Sequence, residues 1–489
     1  MPDDRLFRRA QELAFAYLAE VDERPVALPV GPDEIRARLV GPLPEVGEDP
    51  RAVIEWLAAA ADPGLVASGG PRYFGFVMGG AQPAALAADW LTSTWDQNAG
   101  LFVRSPAAAV AEEVAGEWLR QLLGLPAGVS FGFTSGGTMA NFTALATARH
   151  ALLARLGWDV ETHGLRGAPT IHAVASDESH ATVFGSFQML GIGRDEVHRV
   201  PTDDQGRMRP DALVTTLAAL DGPVILCAQA GNVNTGAFDP MRPIAMALRS
   251  HPGGGWLHLD GAIGLWAAAV PSLRHLTDGL DLADSWTTDS HKWLNVPYDS
   301  GVVFTRDPEA HRAAMSFGSH GVEHVAGGRD SYDYVPESSR RARGFVVLAA
   351  LRALGREGFI DLIERCCAHA RLMAERLSAS PDVEILADVV LNQVLVRFSP
   401  PGGGSDEAAA RAAGDDFTQD VINRVQRDGT SWLGGRVWHG RGCMRVSVTS
   451  WNTTTEDIGR STDAILRCLD DARLAWNSSK EDGHAALHG

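Results

Sequence analysis

The sequence predicts an α/β protein with two parts, a large domain on a mostly parallel, doubly wound sheet and a smaller C-terminal α+β domain. From about residue 130 to 310, short apolar runs alternate with helical segments, which is typical of parallel βαβ units. After Pro381, short strand-like runs flank one helix and a glycine-rich loop, which favours an antiparallel sheet. The chain has 489 residues, enough to bury a sizeable core without disulfides or metals.

The elements follow from periodicity and from the residues that break it. Helices are predicted over much of residues 1–70, over Pro106–Leu123, from Ser338 to Glu357 and beyond, and near residues 415–427. The large sheet is predicted to contain Ile171–Ser176, Val224–Ala228, Trp256–Asp260, Ser285–Thr288 and Val302–Thr305. The small sheet is predicted to contain Val383–Leu386, Val389–Phe398, Ser431–Leu433 and Met444–Ser450. We found no internal repeats.

Composition excludes several classes of function. The formal net charge is −18, which argues against nucleic-acid binding because that needs a basic face. No apolar run approaches the roughly 18 residues that would span a membrane, and the N-terminus lacks a secretory apolar core. The five cysteines show neither metal-ligand spacing nor a disulfide framework. We therefore expect a soluble cytoplasmic protein that binds no metal.

One lysine stands out against the bias of the sequence towards arginine. Lysine and arginine together number 43, yet the only lysines are Lys292 and Lys480. Lys480 lies in a polar C-terminal segment, whereas Lys292 lies mid-chain, directly after a predicted strand. Arginine cannot replace lysine where a deprotonated amine is needed. Lys292 is therefore a candidate reactive amine, with chance retention as the alternative.

In doubly wound sheets, ligands bind at the C-terminal ends of the strands, so the residues that follow each apolar run are the candidate ligand contacts. A glycine turn containing Gly137 and Thr138 opens a helix, where free N–H groups and the helix dipole favour a phosphate. The same turn is also typical of plain helix capping. It matches neither the dinucleotide fingerprint nor the P-loop.

Further polar residues follow the next strands. His180 could stack on a planar ligand or be structural, and Asn232 lies in a polar loop. Asp260 directly follows an apolar strand. In this position it could contact a ligand or be the N-cap of the next helix. With Lys292, these residues supply a phosphate cradle, a stacking ring, a carboxylate and an amine. Pyridoxal phosphate requires all four, because its aldehyde forms a Schiff base with lysine and an aspartate keeps its ring nitrogen protonated.

The motifs TSGGTMAN, SDESHAT, WLHLDGA and DSHKW occur in this order and resemble those of the group II pyridoxal-phosphate decarboxylases. This family includes aromatic-amino-acid, histidine and glutamate decarboxylases, and the resemblance runs from about residue 70 to 460. It implies the aspartate-aminotransferase-like architecture called fold type I, and a homodimer with its active sites at the interface. We expect an N-terminal helical, dimer-swapped segment over residues 1–105, a cofactor domain over 106–375, a small domain over 376–476 and a disordered tail over 477–489.

The resemblance also implies roles for individual residues. Lys292 would bind the cofactor aldehyde, Asp260 the ring nitrogen, and His180 would stack over the ring and orient the substrate carboxylate. The remaining cofactor contacts would be Ala262 beneath the ring, Gly137, Thr138 and His291 at the phosphate, and Asn232 near a cofactor or substrate oxygen. The substrate pocket would include Phe76, Asn98 and Phe102, partly across the dimer interface, while Arg340 and Arg341 resemble a structural pair.

The chain departs from the family in the loop that carries a catalytic tyrosine in many members. The corresponding residues, 315–322, contain no tyrosine, and the nearest ones downstream are Tyr332 and Tyr334. His320 is a candidate substitute acid, since the unperturbed pKa of histidine, about 6.5, suits proton transfer near neutrality.

The expected reaction is decarboxylation of an amino acid to the amine. Relatives that lack the tyrosine can instead give an aldehyde by oxidative decarboxylation and deamination, and transamination or elimination also stays open. Intact Lys292, Asp260 and His180 argue against a scaffold without catalysis. An aromatic substrate is expected from family membership and from aromatic pocket residues such as Trp95, although Gln97 and Asn98 offer hydrogen bonds to a polar one.

Overall fold

The computed structural model describes residues 4–27, 30–318, 324–402 and 407–485, and the chain divides into two compact units. The large unit comprises Gly79–Arg371 and Leu386–Leu395, and the small unit comprises Met1–Met78, Leu372–Ile385 and Val396–Gly489. This division differs from the expected boundaries at residues 105 and 375. Residues 79–105 group with the large unit, and the first 78 residues group with the C-terminal part of the chain.

The helices lie close to the predicted ones and are numbered in chain order. They are α1 Asp4–Glu20, α2 Pro32–Leu39, α3 Pro50–Ala61, α4 Pro83–Trp95, α5 Pro106–Leu122, α6 Gly137–Arg155, α7 Val160–His163, α8 Ala181–Met189, α9 Pro210–Ala218, α10 Met241–Arg249, α11 Pro308–Met315, α12 Arg343–Ser378, α13 Glu407–Asp428 and α14 Thr455–Ala485. Proline stands in the first turn of α2, α3, α4, α5, α9 and α11, where its fixed φ fits and its missing N–H costs no hydrogen bond.

The large unit contains a seven-stranded sheet in the order β1-β7-β6-β5-β4-β2-β3. Its strands are β1 Ser130–Thr134, β2 His172–Ser176, β3 Val197–Val200, β4 Val224–Gln229, β5 Gly255–Asp260, β6 Ser285–Asp289 and β7 Gly301–Thr305. Strands β3, β2, β4, β5 and β6 pair in parallel, whereas β7 is antiparallel to both β6 and β1. The mostly parallel α/β sheet is thus confirmed, with two strands, β1 and β3, that the sequence analysis did not predict.

The core of the large unit is built on this sheet. Every residue of β4, β6 and β7 is buried, as expected for central strands covered on both faces. Trp256, Trp266, Trp286 and Trp293 are fully buried, and burying a large apolar side chain stabilises a fold by about 1.5–3 kcal/mol. This packing fixes the strand ends from which the candidate site residues project.

A second sheet of four antiparallel strands has the order β10-β11-β9-β8. Its strands are β8 Val383–Ile385, β9 Gln393–Phe398, β10 Gly434–Trp438 and β11 Arg441–Ser447, so the predicted antiparallel sheet is present with its last two strands shifted along the chain. Helix α14 continues through residues 477–485, which differs from the expected disordered tail. The sequence after Trp476 contains no proline to end the helix.

Three further observations concern the part of the chain that the structure describes. Within the described residues, no helix is long and apolar enough to cross a membrane, and no group of three His, Cys, Asp or Glu side chains could hold a metal ion. All five cysteines lie within the described residues, are buried and form no disulfide.

Candidate active site

A cavity of about 400 Å³ lies in the large unit at the carboxyl ends of β5 and β6. Seven of the predicted site residues line it: Gly137, Thr138, His180, Asp260, Ala262, His291 and Lys292. They come from four separate motifs, and they meet because parallel strands end at the same edge of a sheet.

The glycine turn between β1 and α6 forms one wall of the cavity. The N-cap residue of the 19-residue α6 is Gly136, with φ of 151° and no side chain to cap the helix. A Cβ atom at Gly137 would lie 2.8 Å from Asp289 Oδ2, and one at Gly136 would lie 3.1 Å from His291 Cε1. Glycine therefore leaves the first-turn N–H groups bare beside the cavity, an arrangement that suits an anion better than plain helix capping.

Lys292 follows β6 and reaches the cavity as a partly buried amine. Its Nζ lies 2.8 Å from Asp289 Oδ2, and the two side chains are 19% and 4% exposed. Among the described residues, the other oxygen of Asp289 has no hydrogen-bond partner and lies 3.7 Å from His291 Nε2. Asp289 was not predicted from the sequence, although its place three residues before the lysine was a usable signal.

Asp260 ends β5 as a buried carboxylate held at both oxygens. Its Oδ1 accepts a hydrogen bond from the Ala262 N–H (3.1 Å), and its Oδ2 accepts one from Asn141 Nδ2 (3.2 Å). The next short helix begins only at Gly264 and has Ile263 as its N-cap, so Asp260 does not cap it. A buried, doubly held carboxylate facing the cavity suits a cationic ligand atom.

Two histidines border the same cavity in different environments. His180 is exposed and is the N-cap of α8, with its Nδ1 2.8 Å from Thr182 Oγ1. His291 Nδ1 accepts the Ser300 N–H (3.1 Å), so its neutral ring carries a proton on Nε2. Burial lowers the pKa of His291. Its ring lies against Tyr298, with centroids 4.4 Å apart.

The Asn232 side chain makes hydrogen bonds within the loop that follows β4 and to Glu178. Its Oδ1 accepts hydrogen bonds from the N–H groups of Asn234 (2.8 Å) and Thr235 (3.3 Å), and its Nδ2 donates to Glu178 O (3.3 Å). The loop contributes Gly231 and Val233 to the cavity lining. The buried amide of Asn232 therefore orders the loop.

The expected substrate residues are distributed over both units. In the large unit, Asn98 Oδ1 accepts from the Gly100 N–H (3.1 Å) and the Phe102 N–H donates to Asp330 Oδ1 (2.8 Å). In the small unit, Phe76 is 54% exposed and stacks on Trp432. His320 lies outside the described residues.

Arg340 and Arg341 form ion pairs and hydrogen bonds with other segments of the large unit. Arg340 Nη1 lies 2.7 Å from Glu112 Oε1, both side chains being 1% exposed. Arg340 Nη2 also donates to Phe133 O (2.6 Å), which is the residue before the end of β1. Arg341 Nη2 lies 2.6 Å from Asp89 Oδ1. These contacts support the structural role expected for the pair.

Among the cavity residues that were not predicted from the sequence, Asn141, Asp289 and Tyr298 carry polar side chains of chemical interest. Asn141 ends the TSGGTMAN motif and lies one turn into α6, so its position in a motif was a signal. Tyr298 is 56% exposed and stands upstream of the loop in which a tyrosine was sought.

The groups present fit pyridoxal phosphate. The bare N–H groups of α6 suit its phosphate, the Lys292 amine suits its aldehyde, and the Asp260 carboxylate suits its ring nitrogen. All three line one cavity.

Comparison with known proteins agrees with this fit. The model of the pyridoxal-dependent decarboxylase conserved domain matches residues 32–399. The chain is 26% identical to an aromatic-L-amino-acid decarboxylase of Bacillus atrophaeus, covering 92% of each chain. It is 29% identical to an L-2,4-diaminobutyrate decarboxylase of Rhizobium meliloti (87% of this chain, 83% of the relative) and 26% identical to a 4-hydroxyphenylacetaldehyde synthase of Rhodiola rosea (86% and 85%).

The fold is similar to solved structures as well. The crystal structure of Oryza sativa TDC with PLP and tryptamine superposes with a TM-score of 0.88 at 22% identity, covering 96% of this chain and 99% of that one. The chain belongs to the pyridoxal-dependent decarboxylase family, and it is a pyridoxal-phosphate-dependent amino-acid carboxy-lyase.

Proposed function

We propose that this enzyme converts an aromatic L-amino acid to the corresponding amine and carbon dioxide, with Lys292 as the amine that binds the cofactor. The observation that carries the proposal is a single cavity lined by the Lys292 amine, the Asp260 carboxylate and the N-terminus of α6. When bound, pyridoxal phosphate supplies an aldehyde for amino groups and a protonated ring that accepts the electron pair left by the departing carboxylate.

Different residues around the cavity would bind the cofactor, orient the Lys292 amine and contact the substrate. The first turn of α6 and the Nε2–H of His291 would hold the phosphate, because both place N–H donors at the cavity. The Asp260 carboxylate, fixed at both oxygens, favours a protonated ring nitrogen, and Asp289 orients the Lys292 amine at 2.8 Å. His180 would cover the ring and contact the substrate carboxylate, and the small side chain of Ala262 would leave room at the opposite face.

An aromatic substrate is favoured because the polar candidate residues, Gln97 and Asn98, already make hydrogen bonds within the protein. Gln97 donates to Trp95 O (2.8 Å) and accepts from Ser105 Oγ (2.9 Å), and Asn98 Oδ1 is taken by the Gly100 N–H. Trp95 packs edge-on against Phe345, with ring centroids 5.1 Å apart, and its 48% exposure leaves apolar surface for a substrate ring. These contacts support the aromatic expectation over a polar substrate such as the diamino acid named for the Rhizobium meliloti relative.

Substrate choice can be tested directly. We expect carbon dioxide release from tryptophan, tyrosine, phenylalanine or dihydroxyphenylalanine to exceed release from 2,4-diaminobutyrate, aspartate and glutamate at equal concentration. Trp95→Ala should raise KM for the preferred substrate. Trp158→Ala is the control for loss of a tryptophan, because Trp158 packs against His163, with ring centroids 5.4 Å apart, and belongs to no segment expected to line the substrate pocket. Faster turnover of the diamino acid by the wild type would contradict the proposal.

Oxidative decarboxylation and deamination is the second candidate reaction. It is favoured by the absence of tyrosine from residues 315–322 and by the relative named as an aldehyde synthase. That reaction consumes dioxygen and water and yields aldehyde, ammonia, carbon dioxide and hydrogen peroxide. Following amine, peroxide and ammonia together therefore separates the two reactions, and peroxide formed in step with carbon dioxide would contradict amine formation.

His320 is the residue we propose as the proton donor that completes the amine. We expect His320→Phe to lower the yield of amine per carbon dioxide released. His324→Phe is the matched control, because His324 is paired with Asp330 at 2.5 Å. An unchanged amine yield in His320→Phe would remove His320 from this role.

We also propose that the enzyme is a homodimer. Helix α1 buries none of its residues within the chain, and Phe7, Phe15 and Leu18 are 62%, 53% and 41% exposed. Exposed apolar surface of this kind marks an interaction site. Light scattering should give twice the chain mass, and Phe15→Glu should shift the equilibrium towards monomer. A wild type that is monomeric at micromolar concentration would contradict the proposal.

A cytoplasmic location is proposed from the cysteines. All five are buried and form no disulfide, as is usual for proteins of reducing compartments. Cell fractionation that recovered the protein outside the cytoplasm would contradict it.

A further inference from the structure

We propose that Asn141 and His258 are positioning residues for Asp260 and set how strongly that carboxylate pairs with the ring nitrogen of the cofactor. The inference rests on the proposed pairing between Asp260 and this nitrogen. It concerns a buried chain of side-chain hydrogen bonds that runs from Asp260 through Asn141 to His258 and Ser285 in the sheet.

The first link fixes the orientation of the Asn141 amide. Its Oδ1 is approached by Thr287 Oγ1 (2.8 Å) and by His258 Nε2 (3.0 Å), and both of these donate. Its Nδ2 then faces Asp260 Oδ2 at 3.2 Å. Rotating the amide by half a turn would place oxygen against the carboxylate and NH₂ against two donors, so only one orientation satisfies every partner.

The second link fixes the tautomer of His258. Trp256 Nε1 donates to Ser285 Oγ (2.8 Å), and the same oxygen lies 2.9 Å from His258 Nδ1. Because the Asp260 carboxylate can only accept, Asn141 Nδ2 faces it and Asn141 Oδ1 faces His258 Nε2, so the imidazole proton is on Nε2. The Ser285 hydroxyl then donates its hydrogen to Nδ1 while it accepts the indole N–H. Burial lowers the pKa of His258 to about 4, so the ring is neutral near pH 7.

These links suit positioning rather than packing. His258 is 0% and Asn141 1% exposed, and apolar residues of similar shape could fill the space at little cost. Instead, the hydrogen-bonded side chains of His258 and Asn141 orient one N–H donor towards Asp260 without adding a charge. With the Ala262 N–H on Oδ1, it fixes both carboxylate oxygens in direction. A hydrogen bond to an ionised group is about twice as strong as a neutral one.

The test measures binding of two ligands by absorbance titration and requires no turnover. The ligands are pyridoxal phosphate and its carbocyclic analogue, in which C–H replaces the ring nitrogen. We expect His258→Leu to weaken binding of pyridoxal phosphate about tenfold and to leave binding of the analogue unchanged. His258→Gln should retain wild-type binding, because the glutamine amide reaches the Nε2 position and keeps the donor. His258→Asn, whose amide reaches only the Nδ1 position, should behave as His258→Leu does.

The matched control is His311→Leu. His311 is equally buried and bonded at both ring nitrogens, to Ser130 Oγ (2.8 Å) and Tyr334 O (2.9 Å), but is not part of the chain of bonds to Asp260. It should lower stability and change binding of neither ligand.

Equal losses for the two ligands in His258→Leu and His258→Asn would overturn the inference, and so would a selective loss in His311→Leu. If the wild type bound both ligands equally, the pairing of Asp260 with the ring nitrogen would itself be refuted. If the wild type discriminates and the deficient variants discriminate equally well, only the role of Asn141 and His258 fails.

Discussion

The Arg340–Glu112 ion pair offers a quantitative test of how a buried charge pair stabilises the large unit next to β1. The guanidinium is bonded to Glu112, to Ala99 O (3.2 Å) and to Phe133 O (2.6 Å), one residue before the end of β1. Glu112→Gln keeps the size and an acceptor oxygen but removes the only charge paired with Arg340 among the described residues. The change therefore isolates the charge from the packing.

The burial of the pair sets the size of the effect. Both side chains are 1% exposed, and removing one partner of a buried pair costs about 3–5 kcal/mol, because the remaining charge is left uncompensated. In an Arg340→Met background the sign should reverse. There Glu112 is itself the unpaired buried charge, so Glu112→Gln should be neutral or stabilising.

Urea unfolding followed by tryptophan fluorescence measures both effects, since four fully buried tryptophans report on the large unit. Asp4→Asn is the control, because it removes one partner of the Arg8–Asp4 pair, whose side chains are 73% and 66% exposed. It should cause no measurable change. The same loss from Glu112→Gln in both backgrounds, or a loss no larger than in Asp4→Asn, would refute the reasoning.

Two further predictions concern the backbone and pH. Gly231→Ala should lower the free energy of unfolding by about 1–3 kcal/mol and weaken cofactor binding, because Gly231 has φ of 83° and its Cβ would lie 2.8 Å from Gly264 N. Gly185→Ala in α8, where a Cβ meets nothing within 4 Å, should be neutral or stabilising in the same urea assay, and equal losses would contradict this account. Burial lowers the pKa of His311 to about 3. Below pH about 6.5 the unfolded chain therefore binds a proton at this residue that the folded chain does not bind. The free energy of unfolding consequently falls as the pH is lowered, by up to about 1.4 kcal/mol per pH unit. His311→Gln should reduce this slope in unfolding measured between pH 6.5 and 5, and an unchanged slope would show that His311 is protonated in the folded protein.

Part of the fold follows from sequence pattern alone. The alternation of apolar runs and helices predicted the parallel core from β2 to β6, because fully buried strands such as β4 read as continuous apolar segments. Strand β1, with the sequence SFGFT, was missed because glycine interrupts its pattern, and β3 was missed because its four residues include an exposed arginine. The link from β6 to β7, residues 290–300, contains no helix, which explains the antiparallel return.

The candidate site was predictable where a residue follows a strand. Asp260 and Lys292 could be inferred to meet because β5 and β6 end at one sheet edge. The amides of Asn232 and Asn98 could not be judged in this way, since only through-space geometry shows that backbone N–H groups occupy them. The bonds joining Asn141 to His258 and Asp260 likewise connect α6 to β5 across the sheet, and no spacing along the chain reveals them.

The central claim is that the Lys292 amine binds the cofactor aldehyde, and the chain allows a direct measurement. Its only amines are Lys292, Lys480 and the N-terminus. Holoenzyme reduced with borohydride and mapped by peptide mass spectrometry should carry one cofactor per chain on the peptide containing Lys292, and Lys292→Ala should carry none there. Label on Lys480 or on the N-terminus of the wild type, with the Lys292 peptide unmodified, would contradict the account.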